Sequence, residues 1–147
     1  MYKRQDYLSK LQDYPEKDAK AAIQLQQIFY RMTKYFIENF NTANFLTEAL
    51  YHSKAASYFT NYRVQHFIFV RTLIEQAQRE GDICSDMNSY EIYMTLQSIL
   101  IQPIIIKNNI LQQHKNEPLM DKLKLIDVSS ESSLQKRLRV AFKGLRP

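Results

Sequence analysis

Hydrophobic positions recur every three or four residues along most of this chain, and they do not alternate with polar positions over any regular strand-length segment. Such a spacing gathers apolar side chains on one face of a helix. With two glycines and four prolines to interrupt it, the pattern predicts an all-α fold, a helical bundle of five to six helices. The four long helices are expected at residues 17–40, 53–80, 89–113 and 130–145.

The helix predicted at residues 89–113 organises the rest of the chain, because it is apolar on two sides. One stripe consists of Ile92, Leu96, Ile99, Pro103, Ile106 and Ile110, and the opposite side carries Met94, Ile101 and Ile105. A helix that is apolar on two sides has to be covered on two sides. We expect the chain's own core to cover one side and a second molecule to cover the other.

The last predicted helix carries a narrow apolar seam, which consists of Leu134, Leu138, Ala141, Phe142 and Leu145. A seam of this width is typical of packing on another helix rather than filling a broad core. The last two long helices therefore predict a homodimer, since closed two-fold symmetry is the commonest way to cover such surfaces. The expected interface residues are Met94, Ile101, Ile105, Leu134, Leu138 and Phe142.

Capping residues indicate where the helices begin and end. Pro15, followed by acidic residues, suits the opening of the first long helix, and Gly81 suits the end of the second. Asn88 and Glu91 have the spacing of a capping box, and a serine at 129 or 130 can open the last helix. Short helical segments are expected at residues 7–11, 43–52 and 120–125.

Length and charge narrow the class of protein. A chain of 147 residues is one domain's worth, long enough to bury a real core. Its net charge of +5 arises entirely after Glu131, because residues 1–131 hold fifteen basic and fifteen acidic side chains. This distribution argues against a broad basic face for nucleic acid. We expect the basic last helix to be a solvated face whose cations suit a helix C-terminus.

Cysteine content and hydropathy bear on the compartment. The single cysteine, Cys84, excludes an intramolecular disulfide framework and suits a reducing cytoplasm. No apolar run reaches the roughly 18 residues of a membrane span, and the polar N-terminus has no signal-peptide pattern. We therefore expect a cytoplasmic protein with no membrane partner.

Catalytic and metal-binding motifs are not found in the sequence. Two glycines cannot build a dinucleotide or phosphate loop. The three histidines, His52, His66 and His114, have no i, i+4 pairing, and there is no Cys-x-x-Cys motif. We expect no catalytic residues, no metal and no cofactor, and the sequence favours a protein that is not an enzyme.

Two polar residues interrupt apolar surfaces of predicted helices. His66 lies within an apolar stripe, and Gln97 lies at the edge of another. On one interpretation His66 is a core histidine with satisfied hydrogen bonds and Gln97 is a solvated edge residue. On the other, both orient a ligand in a cavity between the helices at 17–40, 53–80 and 89–113. The predicted ligand-binding residues are Phe29, Tyr62, His66, Phe69, Tyr93 and Gln97.

The first five residues, Met1 to Gln5, resemble the translation of a transposon end used in preparing sequencing libraries. We therefore expect residues 1–5 to be a non-native leader and native sequence before Asp6 to be missing. An ordinary exposed N-terminus is the alternative. Residues 6–147 are expected to form a single helical domain.

The order of the helices resembles that of a known family. The second long helix closes with Gln78-Arg79-Glu80-Gly81-Asp82-Ile83, and the last ends with Ala141-Phe142-Lys143-Gly144-Leu145. This arrangement resembles the C-terminal domain of TetR-family transcriptional regulators. The resemblance covers residues 6–147, and the family's N-terminal helix-turn-helix is absent from this sequence.

The resemblance implies that this chain is the effector-binding and dimerisation domain of a TetR-like transcriptional regulator that acts as a repressor. Family members bind a small, often apolar or aromatic molecule inside this domain, form homodimers through their last two long helices, and contact DNA through the N-terminal helix-turn-helix. Ligand binding then changes the population of the DNA-bound state. The alternative function is a stand-alone small helical interaction or adaptor protein.

Overall fold

The computed structural model describes residues 16–39, 53–114 and 116–147. In the helix that begins at Ser53, side chains are described from residue 64 onward. The helices are α1 (Ala21–Glu38), α2 (Ser53–Arg79), α3 (Ser89–Leu100), α4 (Gln102–Gln113), α5 (Leu119–Lys124) and α6 (Glu131–Gly144). Six helices and no strand occur in these ranges, which confirms the predicted all-α bundle. The short helices expected at residues 7–11 and 43–52 lie outside the described residues.

Helix α3 lies at the centre of the bundle and contacts α1, α2, α4 and α6. Ile92 and Leu96 of the predicted stripe are fully buried, and so is Leu100 beside it. Ile99 and Ile110 are only half-buried and Ile106 is exposed, so the prediction that the whole stripe lies in the core is wrong beyond Leu96. Leu25 and Ile28 of α1 are fully buried in the same core. Each such side chain contributes about 1.5–3 kcal/mol through removal from water. The bundle is therefore held mainly by aliphatic packing around α3.

Helix α1 begins at Ala21 and not at residue 17, so the predicted start is wrong. Residues 16–20 form a turn, in which the Ala19 N–H donates to the Glu16 carbonyl at 2.9 Å. The Ala21 N–H donates to Glu80 Oε2 at 3.3 Å, and Lys20 Nζ lies 3.7 Å from Asp82 Oδ2. The carboxylate at the helix opening is thus supplied by the end of α2, a long-range contact that local capping rules do not reveal.

The helix predicted at residues 89–113 is interrupted at Ile101, which separates α3 from α4. Pro103 has no N–H to donate to the Ile99 carbonyl, so the hydrogen-bond ladder is broken at this point. The Ile104 N–H donates instead to the Ile101 carbonyl at 3.1 Å. Arg137 of α6 donates from Nη2 to the Leu100 carbonyl at 3.2 Å. The proline therefore opens the helix, and α6 satisfies one of the carbonyls exposed there.

The apolar seam of α6 is covered within the chain, which corrects the expectation that it needs a second copy. Leu134, Leu138 and Phe142 are buried, and α6 contacts α3 and α1. The Cys84 N–H also donates to the Leu145 carbonyl at 2.7 Å, which joins the α2–α3 loop to the end of α6. The narrow apolar seam of α6 is buried within a single chain because α1 and α3 both pack against it.

The other predicted interface residues differ in their exposure. Ile101 is buried in the core, Ile105 is half-buried, and Met94 is exposed. Of the six predicted interface residues, Met94 and Ile105 are therefore the ones that a partner could cover without rearrangement of the core. The homodimer itself stays a prediction.

Several predicted caps are confirmed. Asn88 Oδ1 accepts the Glu91 N–H at 2.9 Å, and Glu91 Oε2 accepts the Asn88 N–H at 2.8 Å, which completes the capping box. Ser130 Oγ accepts the Ser133 N–H at 3.1 Å and caps α6. Gly81 adopts a φ of +79°, the left-handed conformation in which glycine is favoured. The short segment expected at residues 120–125 corresponds to α5.

No helix in the described ranges is both long enough and apolar enough to cross a membrane.

Candidate functional site

The aromatic rings that were predicted to line a ligand site meet around Tyr93. Phe29 of α1 lies 6.2 Å from the Tyr93 ring centroid, and His66 of α2 lies 5.7 Å from it. Phe67 of α2 lies at 5.4 Å. All three rings meet Tyr93 edge to face, with interplanar angles between 62° and 65°. We call the group of Phe29, His66, Phe67, Tyr93 and Gln97 the Tyr93 cluster.

Gln97 completes the Tyr93 cluster with a hydrogen bond. It follows Tyr93 by four residues, so the two side chains lie on the same face of α3. Gln97 Nε2 donates to Tyr93 Oη at 2.7 Å. The Gln97 side chain is half-buried, so it is not the fully solvated edge residue of the alternative interpretation. The bond holds a polar amide beside an aromatic group in the interior of the bundle.

His66 is buried, and no described residue forms a hydrogen bond with it. The residue is 5% exposed, and neither Nδ1 nor Nε2 has a partner among the residues that the structure describes. Burial lowers the pKa of His66 from 6.5 to about 4, so the imidazole is neutral at pH 7. Leaving buried polar atoms unpaired costs about 1–3 kcal/mol. The interpretation of His66 as a core histidine is correct for its burial but wrong for its hydrogen bonds.

The predicted site residues do not all join the Tyr93 cluster. Phe69 is half-buried and packs against the hydrophobic core. Tyr62 lies on α2, where its side chain is outside the described residues. Phe67 was not predicted as a site residue, although its place next to His66 at the edge of the α2 stripe was a signal for it. The structure therefore brings together Phe29, His66, Tyr93 and Gln97 of the six predicted residues.

Arg137 is a second partly buried polar group, but its bonds are structural. Its Nη1 donates to the Val128 carbonyl at 2.8 Å and to Ser133 Oγ at 2.9 Å, in addition to the bond from Nη2 to Leu100. Burial lowers the pKa of Arg137, and the nearby Asp127 carboxylate opposes that change. Arg137 therefore links α6 to the segment between α5 and α6 and to the end of α3. His66 has no comparable set of bonds.

The side chains of the Tyr93 cluster determine what it could bind. Within residues 16–39, 53–114 and 116–147, no group of three His, Cys, Asp or Glu side chains could hold a metal ion. The cluster contains aromatic surface, one neutral imidazole and one amide. Such a combination can bind and orient an apolar molecule with a few polar groups.

Comparisons with protein-family models, with curated proteins and with solved structures find no match for this chain.

Proposed function

We propose that this chain is the effector-binding and dimerisation domain of a TetR-like transcriptional regulator, which senses a small apolar or aromatic molecule. The order of the helices and their closing sequences support the family assignment. The Tyr93 cluster supports the sensing role, since three helices contribute aromatic rings and polar groups to one place. In the family, DNA contact belongs to the N-terminal helix-turn-helix.

The observation that carries the proposal is the unpaired imidazole of His66. A purely structural core would be more stable with an apolar residue at this position, because the imidazole is buried and has no hydrogen bonds. Residues that cost stability without contributing to the fold are expected at functional sites. A bound molecule that forms hydrogen bonds with His66 would recover this cost.

A ligand at the Tyr93 cluster would contact α1, α2 and α3 together. Helix α3 contacts α4 and α6. In the family resemblance the dimer is formed by residues 89–113, which comprise α3 and α4, and by residues 130–145, which comprise α6. A ligand that fits one arrangement of these helices better than another shifts the population toward that arrangement. In a dimer this shift would change the separation of the two N-terminal helix-turn-helix units and so the population of the DNA-bound state.

The proposed homodimer would use the exposed sides of α3 and α4. Tyr90, Met94 and Ile106 are exposed there, and Ile105 is half-buried. The buried seam of α6 would lie beneath this surface and support it. Association in solution is tested by light scattering on the purified chain at micromolar concentration, where the proposal expects the mass of two copies.

A thermal-shift screen with small neutral aromatic compounds tests the sensing role. A compound at a hundred times its Kd should stabilise the folded chain by about 2.7 kcal/mol and raise the Tm accordingly. The variant Gln97→Ala should weaken the shift, because it removes the amide bonded to Tyr93. Thr95→Ala is the matched control and should retain the shift, because the Thr95 hydroxyl is bonded to the Glu91 carbonyl of its own helix.

A broad screen that yields no stabilising compound would contradict the sensing role. An equal shift in the Gln97→Ala and unmodified proteins would place the ligand elsewhere. A monomer with no ligand would favour the alternative of a stand-alone helical interaction or adaptor protein.

A further inference from the structure

The hydrogen-bonding capacity of His66 specifies which polar group it could bind. A neutral imidazole has one N–H donor and one nitrogen acceptor. Within the described residues, His66 is the side chain in which every polar atom is buried and none is bonded. By contrast, the buried Thr33 donates from Oγ1 to the Phe29 carbonyl at 2.7 Å. Asp82 Oδ2 and Arg137 Nε are also buried without a hydrogen bond. Asp82 has an ion pair with Lys20, and Arg137 donates through Nη1 and Nη2, whereas the His66 ring has neither kind of contact in the described part of the chain.

No charged side chain of the described residues acts on His66. Burial is the cause of its lowered pKa, and no charge in the described part of the chain contributes to it. Its ring contact is with Tyr93, which in turn contacts Phe29 and Phe67. An ionised ligand placed here would lose its hydration without gaining an opposite charge, and this loss is very costly. An uncharged ligand avoids that cost.

The aromatic rings favour a ligand that is itself aromatic. Edge-to-face contacts of the kind formed by Tyr93 contribute about 0.5–1.5 kcal/mol beyond the burial of area. A hydroxyl group on such a ligand can both donate and accept, so it can pair with His66 in either tautomer. A hydrocarbon of the same shape would leave the imidazole unpaired.

We propose that His66 determines the specificity of the Tyr93 cluster and that the ligand is an uncharged aromatic molecule whose hydroxyl group hydrogen-bonds to the His66 imidazole. The inference rests on the proposed small-molecule function of this site. The hydroxyl supplies the hydrogen bond that His66 lacks, and the aromatic body packs against the rings of the cluster. The site therefore distinguishes a phenol from a hydrocarbon of equal size and from a carboxylate.

Three probes of similar size test this specificity in titration calorimetry at pH 7 on the full chain. They are p-cresol, p-xylene and p-toluate, which place a hydroxyl, a methyl and a carboxylate on the same ring. We expect p-cresol to bind at least about tenfold more tightly than p-xylene, since one hydrogen bond to an otherwise unpaired group is worth about that factor. We expect p-toluate to bind more weakly than either.

The variant His66→Phe should abolish the preference for p-cresol over p-xylene and should raise the Tm of the unliganded chain. His66→Leu is a second variant with the same expectation, in case the larger ring does not fit. His114→Gln is the matched control, because His114 is exposed and pairs with Glu117 on the surface. It should retain the preference for p-cresol.

The outcomes separate the two claims. Equal binding of p-cresol and p-xylene, or a preference that survives in both His66 variants, would overturn the specificity role while leaving a ligand site in place. Tight binding of p-toluate would overturn the requirement for an uncharged ligand. Failure of all three probes to bind the unmodified chain would contradict the proposed function itself, and the specificity role with it.

Discussion

Two adjacent faces of α3 differ in what they contribute to the protein. One faces the apolar layer, which we define as Leu25, Ile28, Ile92, Leu96, Leu100 and Leu134. These side chains are fully buried and have no polar atoms to satisfy. The other face carries Tyr93 and Gln97 and meets His66, whose nitrogens are unpaired. The apolar layer stabilises the bundle, whereas the Tyr93 cluster includes a group that destabilises it.

This difference distinguishes the side chains that explain the fold from one that the fold does not require. Close packing of apolar groups explains a fold but does not require a histidine. An unpaired imidazole in the interior lowers the stability of the fold. Such a loss is expected where the residue has a function, for example in binding a ligand. Perturbing each face in turn should therefore have different effects on the protein.

The largest effect is expected from a charge introduced into the buried seam of α6, compared with a charge introduced on the exposed side of α3. Leu138→Asp puts a carboxylate in the core, because Leu138 is 7% exposed, and should unfold the chain. Met94→Asp lies on the exposed side of α3 and should leave the chain folded but monomeric. Circular dichroism reports folding and light scattering reports mass. A folded Leu138→Asp protein would contradict the burial of the seam.

A cavity in the apolar layer should have the next largest effect. Leu96→Ala removes a fully buried side chain and should lower the free energy of unfolding by about 2–5 kcal/mol. Thr95→Ala, at the neighbouring position, is the control. Its hydroxyl is bonded to the Glu91 carbonyl of its own helix, so the expected change is within about 0.5 kcal/mol. Urea denaturation measures both, and a loss below 1 kcal/mol for Leu96→Ala would be inconsistent with the layer.

The Tyr93 cluster should make stability depend on pH. The pKa of His66 is about 4 in the folded chain and 6.5 in its ordinary state. Between these values the unfolded chain binds a proton that the folded chain does not, so stability falls as the pH falls. From pH 7 to pH 5 the expected loss is about 2 kcal/mol.

Comparison of variants isolates the contribution of His66 to this pH dependence. Urea denaturation of His66→Leu should show a smaller loss between pH 7 and pH 5 than the unmodified chain. The exposed His114→Gln variant should retain the loss. The same slope in all three proteins would show that His66 titrates normally and is not buried as described.

The smallest effect is expected at the rim of the Tyr93 cluster. Gln97→Ala removes the hydrogen bond to Tyr93 Oη and should lower the free energy of unfolding by about 1 kcal/mol or less. Chemical denaturation without ligand measures this change, and a loss of several kcal/mol would assign Gln97 a structural role.

Local rules predicted most of the fold. Helical periodicity identified the long helices, and short-range chemistry identified the Asn88 capping box, the Ser130 cap and the turn at Gly81. These features depend on residues within a few positions of one another. The prediction of one helix over residues 89–113 was wrong because the apolar spacing continues past Pro103. The spacing alone does not show that the missing N–H of Pro103 breaks the helix.

Contacts between distant residues were less accessible to prediction. The bond from Ala21 to Glu80 and those formed by Arg137 join parts of the chain that no local pattern relates. The same applies to the seam of α6, whose width did not reveal that α1 and α3 would cover it. For the site, His66 and Gln97 were detectable as polar residues on apolar surfaces, but their meeting at Tyr93 depended on the packing of α2 on α3.

The most direct test of the central claim is an NMR measurement of contacts between protons of bound p-cresol and ring protons of the chain at pH 7. We expect nuclear Overhauser contacts from the ligand ring to the rings of Tyr93 and His66. Contacts confined to exposed residues such as Tyr90 would contradict binding at the Tyr93 cluster. So would the absence of contacts at a p-cresol concentration that saturates the protein.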